Sequence, residues 1–453
     1  MKKNTQGIVL YDTTPSQDVV ILQTKYTLFK RIVNIVSSMD TKEKLDWDIM
    51  EQAMYLTIVR NDCLRLKFVK QGKKLMQYFD KPSPVKVVYK KFETKQEQEA
   101  WINQITKKAI KYKKGVVIEP YFVETYDNKY MVLLKVCHLI LDIYGLNVIY
   151  GDLFQVYRAL KDNTALPPAP GKYEDVVKRD LIKKADTKAY DKHAEFFEKL
   201  LKSKPEPSYT GLHGKENEIW SKLNQKGKRG MKMFFINCDT KGYVHKIKKD
   251  VVEKAMKYAE SLGISPTNVL FYAMSLTASL INDKANNMLP LELCNCRGTL
   301  KEKNCAGTKV QSLGRYTHID YNDTFENNLK KFASTQNELY KHLDFLDIAF
   351  EMMLHRIYGS SMMSTYYSIT YSFIPFAKPD NINFQIYSNG KCALPAYIAQ
   401  LYDINSGEIE MAYDVQTKII SEEDVKKFHN LYVKVLNLVT SCPQIVLEKI
   451  EVK

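Results

Sequence analysis

The 453-residue sequence lacks long hydrophobic segments, since no run reaches the roughly 18 apolar residues of a membrane-spanning helix. The lysines of Met1-Lys2-Lys3-Asn4 are not followed by an apolar segment, so we expect neither a signal peptide nor membrane attachment. Closely paired cysteines are also scarce: of eight, only Cys294 and Cys296 are tightly spaced, and no histidine nearby completes a zinc set. We therefore expect reduced thiols in a cytoplasmic protein without a metal.

The chain has a formal net charge of +15 but no signature of a nucleic-acid-binding module, so nucleic acid is not the expected partner. An excess of this size favours an acidic protein or the phosphates of a nucleotide-bearing thioester, although a solvated basic surface is the simpler alternative. The same two interpretations apply to the densest basic cluster, which consists of Lys107, Lys108, Lys111, Lys113 and Lys114.

Length and periodicity predict a multi-domain α/β protein. At roughly 100–200 residues per domain the chain holds two or three domains. Apolar spacing predicts helices over 42–60 (with Asp40 or Thr41 as N-cap), 95–112, 146–160 and from Pro266 to Ile281, and a buried strand over 130–136. The proline-rich segment 165–171 is the best linker, which predicts an N-terminal lobe over 1–168 and a C-terminal lobe over 172–453.

The candidate chemistry lies after the 130–136 strand, where His138 and Asp142 are spaced as His-x-x-x-Asp. A histidine at the carboxyl end of a buried strand is placed where α/β folds bind ligands, and it can accept a proton near neutral pH. The aspartate, just before a helix, could hold the loop by pairing with a basic group. A satisfied structural histidine is the alternative.

Six stretches, in order and at matching spacing from about residue 11 to 443, resemble the condensation-domain superfamily, which includes nonribosomal peptide synthetase condensation domains and chloramphenicol-acetyltransferase-like acyltransferases. The stretches are Thr14–Gln17, Arg60–Phe68, His138–Asp142, Tyr173–Val177, Leu313–Thr317 and His342–Phe345. The resemblance implies two chloramphenicol-acetyltransferase-like α/β sandwich lobes in a V-shaped arrangement with a central tunnel.

The same resemblance implies roles for individual residues. His138 would be the catalytic base or positioning group, and Asp142 a structural residue paired with an arginine of the other lobe. Arg297 matches the family's arginine position best, and Arg65 is the alternative. Tyr366 and Ser372 stand in a segment that borders the tunnel in the family, where a hydroxyl could contact the reaction intermediate, although packing of the aromatics in a core is the interpretation we favour.

Two positions depart from the family pattern. Cys137 replaces the first histidine, which single-histidine acyltransferases tolerate. Ile143 replaces the motif glycine, where a branched side chain could narrow the tunnel or force a different turn, and Gly145 could take over the backbone role.

The resemblance implies a free-standing acyltransferase that binds no cofactor of its own and acts as a monomer. The leading hypothesis is transfer of an acyl or aminoacyl group from the phosphopantetheine thioester of an acyl or peptidyl carrier protein, acting in trans, to a small-molecule or carrier-bound amine. The alternatives are a coenzyme A-dependent O- or N-acyltransferase, or a degenerate, non-catalytic protein that binds a carrier protein.

Overall fold

The computed structural model describes residues 2–3, 7–27, 29–215, 218, 229–233, 236–345, 347–367, 369–377 and 381–451. Its helices are α1 Pro15–Tyr26, α2 Trp47–Arg60, α3 Lys95–Lys107, α4 Ile143–Lys161, α5 Tyr173–Ala185, α6 Thr187–Lys202, α7 Lys249–Ser261, α8 Pro266–Ile281, α9 Leu300–Lys303, α10 Phe325–Ser334, α11 Gln336–Tyr340, α12 Asp347–Tyr358 and α13 Glu422–Ser441. Short 3₁₀ helices span Lys30–Val33, Asp62–Arg65, Tyr112–Lys114 and Leu447–Lys449.

The strands are β1 Lys2–Lys3, β2 Val9–Asp12, β3 Asn34–Thr41, β4 Leu66–Gln71, β5 Lys74–Phe79, β6 Val88–Lys91, β7 Ile118–Glu124, β8 Tyr130–Cys137, β9 Met231–Lys232, β10 Thr240–Ile247, β11 Asn287–Met288, β12 Leu291–Asn295, β13 Val310–Gly314, β14 Thr317–His318, β15 Ser364–Thr365, β16 Thr370–Phe376, β17 Ile382–Tyr387, β18 Ala396–Asp403 and β19 Ile409–Gln416. The predicted α/β class is confirmed.

The chain divides into two compact units, and neither is continuous in sequence. The first unit comprises residues 1–187, 295–310 and 378–391, and the second comprises 188–294, 311–377 and 392–453. The sequence predicts one division between 168 and 172. The compact units differ from that prediction because α5 and two later segments pack with the first unit.

The first unit is built on a five-stranded sheet in the order β17-β3-β8-β7-β6. The central strand β8 is antiparallel to both neighbours, and every residue from Met131 to Cys137 is buried. This near-continuous apolar run explains why the strand could be recognised in the sequence. A second sheet, β1-β2-β5-β4, completes the unit, and its main core includes side chains from β8, α2 and α4.

Two predicted helices are shorter than expected. The helix predicted over 42–60 begins at Trp47, and its N-cap is Asp46, whose side chain accepts from the amides of Asp48 and Ile49. Asp40 and Thr41 cannot cap it because both belong to β3. The helix predicted to reach residue 112 ends at Lys107.

The second unit contains a six-stranded sheet in the order β10-β19-β18-β16-β12-β13. Helix α8, which begins after the N-cap Ser265 with Pro266 at its first position, as the sequence predicts, is buried from Asn268 to Leu280 and contributes to the core with α7 and α13. A fully buried ion pair joins Arg315 to Glu292, with 3.0 Å between Nη1 and Oε2.

Within the described residues, no single helix is both long and apolar enough to cross a membrane, and α7 and α8 reach that threshold only together, across a bend of 116°.

The core around β8 yields a stability prediction. Leu134 is fully buried at the centre of the strand, so Leu134→Ala should lower the free energy of unfolding by about 2–5 kcal/mol through lost apolar contact and a residual cavity. Urea denaturation followed by circular dichroism measures the change. Lys90→Ala, at an exposed position of β6, is the control and should change stability by less than about 0.5 kcal/mol. Equal denaturation midpoints for the two variants would contradict the assignment of Leu134 to the core.

Candidate functional site

The site is a five-residue loop, 138–142, between β8 and α4. Contacts from three parts of the first unit fix its backbone. The amide of His138 donates to the carbonyl of Val33 (2.7 Å), and its carbonyl accepts from the hydroxyl of Thr308 (2.7 Å). The side-chain amide of Gln17 donates to the carbonyl of Leu139 (2.8 Å). The loop is therefore held rigidly where the central strand ends.

The imidazole of His138 is oriented by one hydrogen bond, with Nδ1 3.0 Å from the carbonyl oxygen of Leu141. A carbonyl oxygen can only accept, so Nδ1 carries the proton in the neutral ring and Nε2 keeps its lone pair. No described residue forms a hydrogen bond with Nε2. The ring is thus held in the tautomer that a general base needs.

Burial also sets the charge of this histidine. Desolvation lowers the pKa of His138 below its ordinary value of 6.5, and the negative charge of Asp142 opposes that effect only in part. The imidazole is therefore neutral at pH 7 and available to accept a proton.

Asp142 is saturated by hydrogen bonds and is buried, with 5% of its surface exposed. Its carboxylate accepts from both Nη atoms of Arg297 (3.0 and 3.1 Å), from the amide of Gly145 (2.7 Å) and from the amide of Lys309 (2.8 Å). The bond to Gly145 makes it the N-cap of α4. Four charge-assisted bonds keep this carboxylate ionised and leave it no role in proton transfer.

Arg297 lies in the same unit as its partner, although the sequence assigns it to the other lobe. It belongs to segment 295–310, which packs with the first unit. Beyond the ion pair, its Nη2 donates to the carbonyl of Gly307 (2.7 Å), and its guanidinium lies 4.7 Å from the centre of the Tyr144 ring. The segment is joined to the unit by these contacts rather than by its position in the chain.

Arg65, the alternative partner of Asp142, lies elsewhere. It ends the 3₁₀ helix Asp62–Arg65, and its Nη1 donates to the carbonyl of Asp80 (2.9 Å). The guanidinium that pairs with Asp142 is that of Arg297, so Arg65 does not belong to the His138 loop.

The two departures from the family motif have different surroundings. Cys137 is fully buried in the core, where burial raises the pKa of its thiol to about 12, so it is protonated at neutral pH. Ile143 is half-buried, packs against the same core and opens α4; it is not among the residues with positive φ. The branched side chain therefore causes no backbone strain at this position.

Gly145 is needed for close packing rather than for a turn. A Cβ atom there would lie 2.6 Å from the carbonyl oxygen of Gly307, which is shorter than any tolerated contact. Gly307 itself has a φ of +148°, and a Cβ on it would lie 2.1 Å from the ring of Tyr173. Two glycines thus allow helix α4 and segment 295–310 to touch.

Tyr366 and Ser372 both belong to the second unit, where each already has a partner. The hydroxyl of Tyr366 donates to Glu206 (2.7 Å), and the hydroxyls of Ser372 and Tyr397 share a bond of 2.8 Å. Their contact with a reaction intermediate stays a prediction.

Several residues that build the site were not singled out for it in the sequence. Thr308 holds the carbonyl of His138, Tyr173 donates to the carbonyl of Thr308 (2.8 Å), and the ammonium of Lys309 pairs with Asp180 (2.7 Å). The one signal available was the glycine within Cys305-Ala306-Gly307-Thr308-Lys309, which marks a turn or a close approach. Among the described residues, no three His, Cys, Asp or Glu side chains are grouped so as to hold a metal ion.

An α/β chain of two compact units, with His-x-x-x-Asp between a central strand and a helix, has the architecture of the chloramphenicol-acetyltransferase-like proteins. Within that class the chain belongs to the condensation-domain family, whose model, described as "Condensation domain", matches residues 10–357.

A curated relative agrees with this assignment over most of the chain. One of the proteins that make up plipastatin synthase in Bacillus subtilis (strain 168) is 20% identical over 422 residues, which are 89% of this chain and 15% of that protein. The chain thus spans only a small part of that relative.

Solved structures show the same fold. The starter condensation domain of rhizomide synthetase RzmA, a mutant in complex with C8-CoA, superposes with a TM-score of 0.82 at 13% identity, covering 98% of each chain. The first condensation domain of the calcium-dependent antibiotic synthetase, in complex with a substrate analogue, superposes with a TM-score of 0.78 at 14% identity, covering 97% of this chain and 98% of that one.

The Asp142–Arg297 pair yields the second prediction. Asp142→Ala leaves a buried guanidinium without its counter-ion, so the free energy of unfolding should fall by about 3–5 kcal/mol in urea denaturation. Asp162→Ala, at the exposed end of α4, is the control and should be nearly neutral. The double variant Asp142→Ala/Arg297→Met should recover part of the loss. If the double variant is no more stable than Asp142→Ala, the unpaired charge is not the cause.

Proposed function

We propose that this chain catalyses a condensation reaction, in which an acyl or aminoacyl group moves from a carrier-protein thioester to an amine acceptor and an amide bond forms. The observation that carries the proposal is the state of His138: a neutral ring, fixed in one tautomer, with Nε2 unpaired within the described residues. Membership of the condensation-domain family supports the same class of reaction.

In the proposed reaction, the acceptor nitrogen attacks the thioester carbonyl carbon while Nε2 of His138 orients the amine and accepts its proton. The tetrahedral intermediate collapses, the carbon–sulfur bond breaks, and the thiolate leaves. The imidazolium then returns its proton to the sulfur, so the products are an amide and a free thiol. Asp142 takes no part in these transfers and acts through the position of the loop, because its four hydrogen bonds occupy it.

The donor is proposed to be a thioester because of what the solved relatives hold. One RzmA mutant structure is in complex with C8-CoA, and another with C8-CoA and Leu-SNAC. For this chain we propose the phosphopantetheine thioester of an acyl or peptidyl carrier protein as donor, with coenzyme A thioesters as the alternative. The protein would then need no bound cofactor of its own.

A second candidate function is binding of a carrier protein without catalysis, and the observation that favours it is Ile143 at the motif glycine. Its side chain is half-buried beside the His138 loop. The absence of a positive φ at Ile143 weakens this alternative, because the isoleucine does not force a distorted turn.

The third prediction tests the base. His138→Ala should lower the rate of acyl transfer by about 10²–10⁴-fold, the range that a positioned general base contributes. Purified protein is incubated with an acylated carrier protein or an acyl-CoA and an amine acceptor, and product mass is followed. His318→Ala, at an exposed histidine of the second unit, should keep the wild-type rate. An unchanged rate in His138→Ala would exclude the proposed mechanism, and no transfer by wild type from either donor would favour non-catalytic binding.

The fourth prediction concerns pH. The neutral form of His138 is the active form, and burial lowers its pKa, so the rate should be lost only as the pH falls through a value below 6.5. A profile of kcat/KM over about pH 5 to 8 measures this limb, with circular dichroism at each pH as the control for folding. A limb centred above pH 6.5 would contradict the buried, neutral imidazole.

A further inference from the structure

A groove of about 460 Å³ lies in the first unit, outside the His138 loop. Its walls come from the start of β4, the extended segment 81–86, the residue that follows α3, and the start of β7. Five of its lining side chains carry positive charge, and we call the site the basic groove: Arg65, Lys67, Lys81, Lys86 and Lys108.

The single carboxylate that lines the basic groove does not neutralise these charges. Oε2 of Glu119 accepts from the ammonium of Lys135 (2.9 Å) and from the hydroxyl of Tyr121 (3.0 Å). Lys135 is fully buried, so the negative charge of Glu119 is already matched by a cation from within the sheet. The groove therefore presents an unbalanced positive charge.

Most of the cationic groups lack a protein partner. Lys81, Lys86 and Lys108 are exposed, and their ammonium groups form no ion pair with any described residue. Nε of Arg65 is a buried nitrogen without a hydrogen-bond acceptor in the described part of the chain. A buried unpaired donor is costly, and an anionic ligand would remove that cost.

The remainder of the lining is largely apolar. Ile58, Leu64, Val117 and Ile118 belong to the buried core of the unit, and Val85 packs against that core. Val116, also in the lining, keeps 37% of its surface exposed. An occupant that filled this groove would bury apolar surface as well as neutralise charge.

We propose that the basic groove binds an acidic, amphipathic segment of a partner protein, with apolar side chains on the apolar lining and carboxylates on the lysines. A concave site with apolar walls suits an inserted segment better than a flat anionic membrane. It offers no exposed aromatic ring on which a nucleobase could stack. The proposal is independent of acyl transfer, because none of its residues belongs to the His138 loop.

The charge continues beyond the groove, which favours an extended partner over a small anion. Lys107 precedes Lys108, and Lys111, Lys113 and Lys114 precede the groove residue Gly115; all four lysines are exposed. The basic cluster recognised in the sequence therefore adjoins the groove along the chain.

The experiment measures binding of a fluorescein-labelled peptide of about four helical turns, with Glu on one face and Leu on the other, to the full chain by fluorescence anisotropy. The groove variant is Lys81→Glu/Lys86→Glu/Lys108→Glu. The matched control, Lys44→Glu/Lys70→Glu/Lys73→Glu, makes the same change in net charge at exposed positions outside the groove. Circular dichroism verifies that both variants are folded.

We expect the groove variant to bind the peptide at least about tenfold more weakly than wild type, the control to stay within about twofold, and a peptide with Ser in place of Leu to bind weakly. In wild type, bound peptide should protect Lys81, Lys86 and Lys108, but not Lys44 and Lys73, from acetylation read by mass spectrometry. Equal weakening in both triple variants, or equal binding of the Ser peptide, would overturn the proposal. Tighter, groove-dependent binding of a single-stranded oligonucleotide or of phosphatidylglycerol vesicles would overturn it in favour of nucleic acid or membrane.

Discussion

One buried carboxylate determines the geometry of the candidate site. Asp142 collects four donors from three parts of the chain: its own helix, the side chain of Arg297 and the backbone of Lys309. Each donor would be unsatisfied without it, and the carboxylate would be unsatisfied without them. Because Asp142 both caps α4 and joins segment 295–310 to the unit, the loop that holds His138 has one low-energy arrangement.

Burial acts in opposite directions on the two ends of this loop. It makes Asp142 depend on positive partners, whereas it favours the uncharged form of His138 and leaves its Nε2 free to accept a proton. A site that performs proton transfer needs this asymmetry, since one group must be fixed and the other must be able to change its protonation state. The same low-polarity surroundings keep the adjacent Cys137 as a neutral thiol, so the histidine has no competing nucleophile beside it.

The sequence predicted the site more completely than the fold. His138, Asp142 and Arg297 could be found because a charged or titratable residue after an apolar run is a strong local signal. The contribution of segment 295–310 to the first unit could not be found, because it depends on the approach of Gly307 to Gly145 and on the ring of Tyr173, all distant in sequence. The boundary of α2 was missed for a similar reason: Asp40 and Thr41 are good capping residues, but their pairing in β3 with β8 takes precedence.

The discontinuity of the first unit has a consequence for how the protein folds. Strand β8 and helix α4 leave the ribosome well before Arg297 and the loop of Gly307 are made, and the edge strand β17 follows later still. Until then the carboxylate of Asp142 has no counter-ion, and strand β3 has an open edge. The last native contacts of the first unit therefore form only after most of the second unit has been synthesised, and during that interval the exposed strand edge is a point at which a chaperone would act or aggregation would begin.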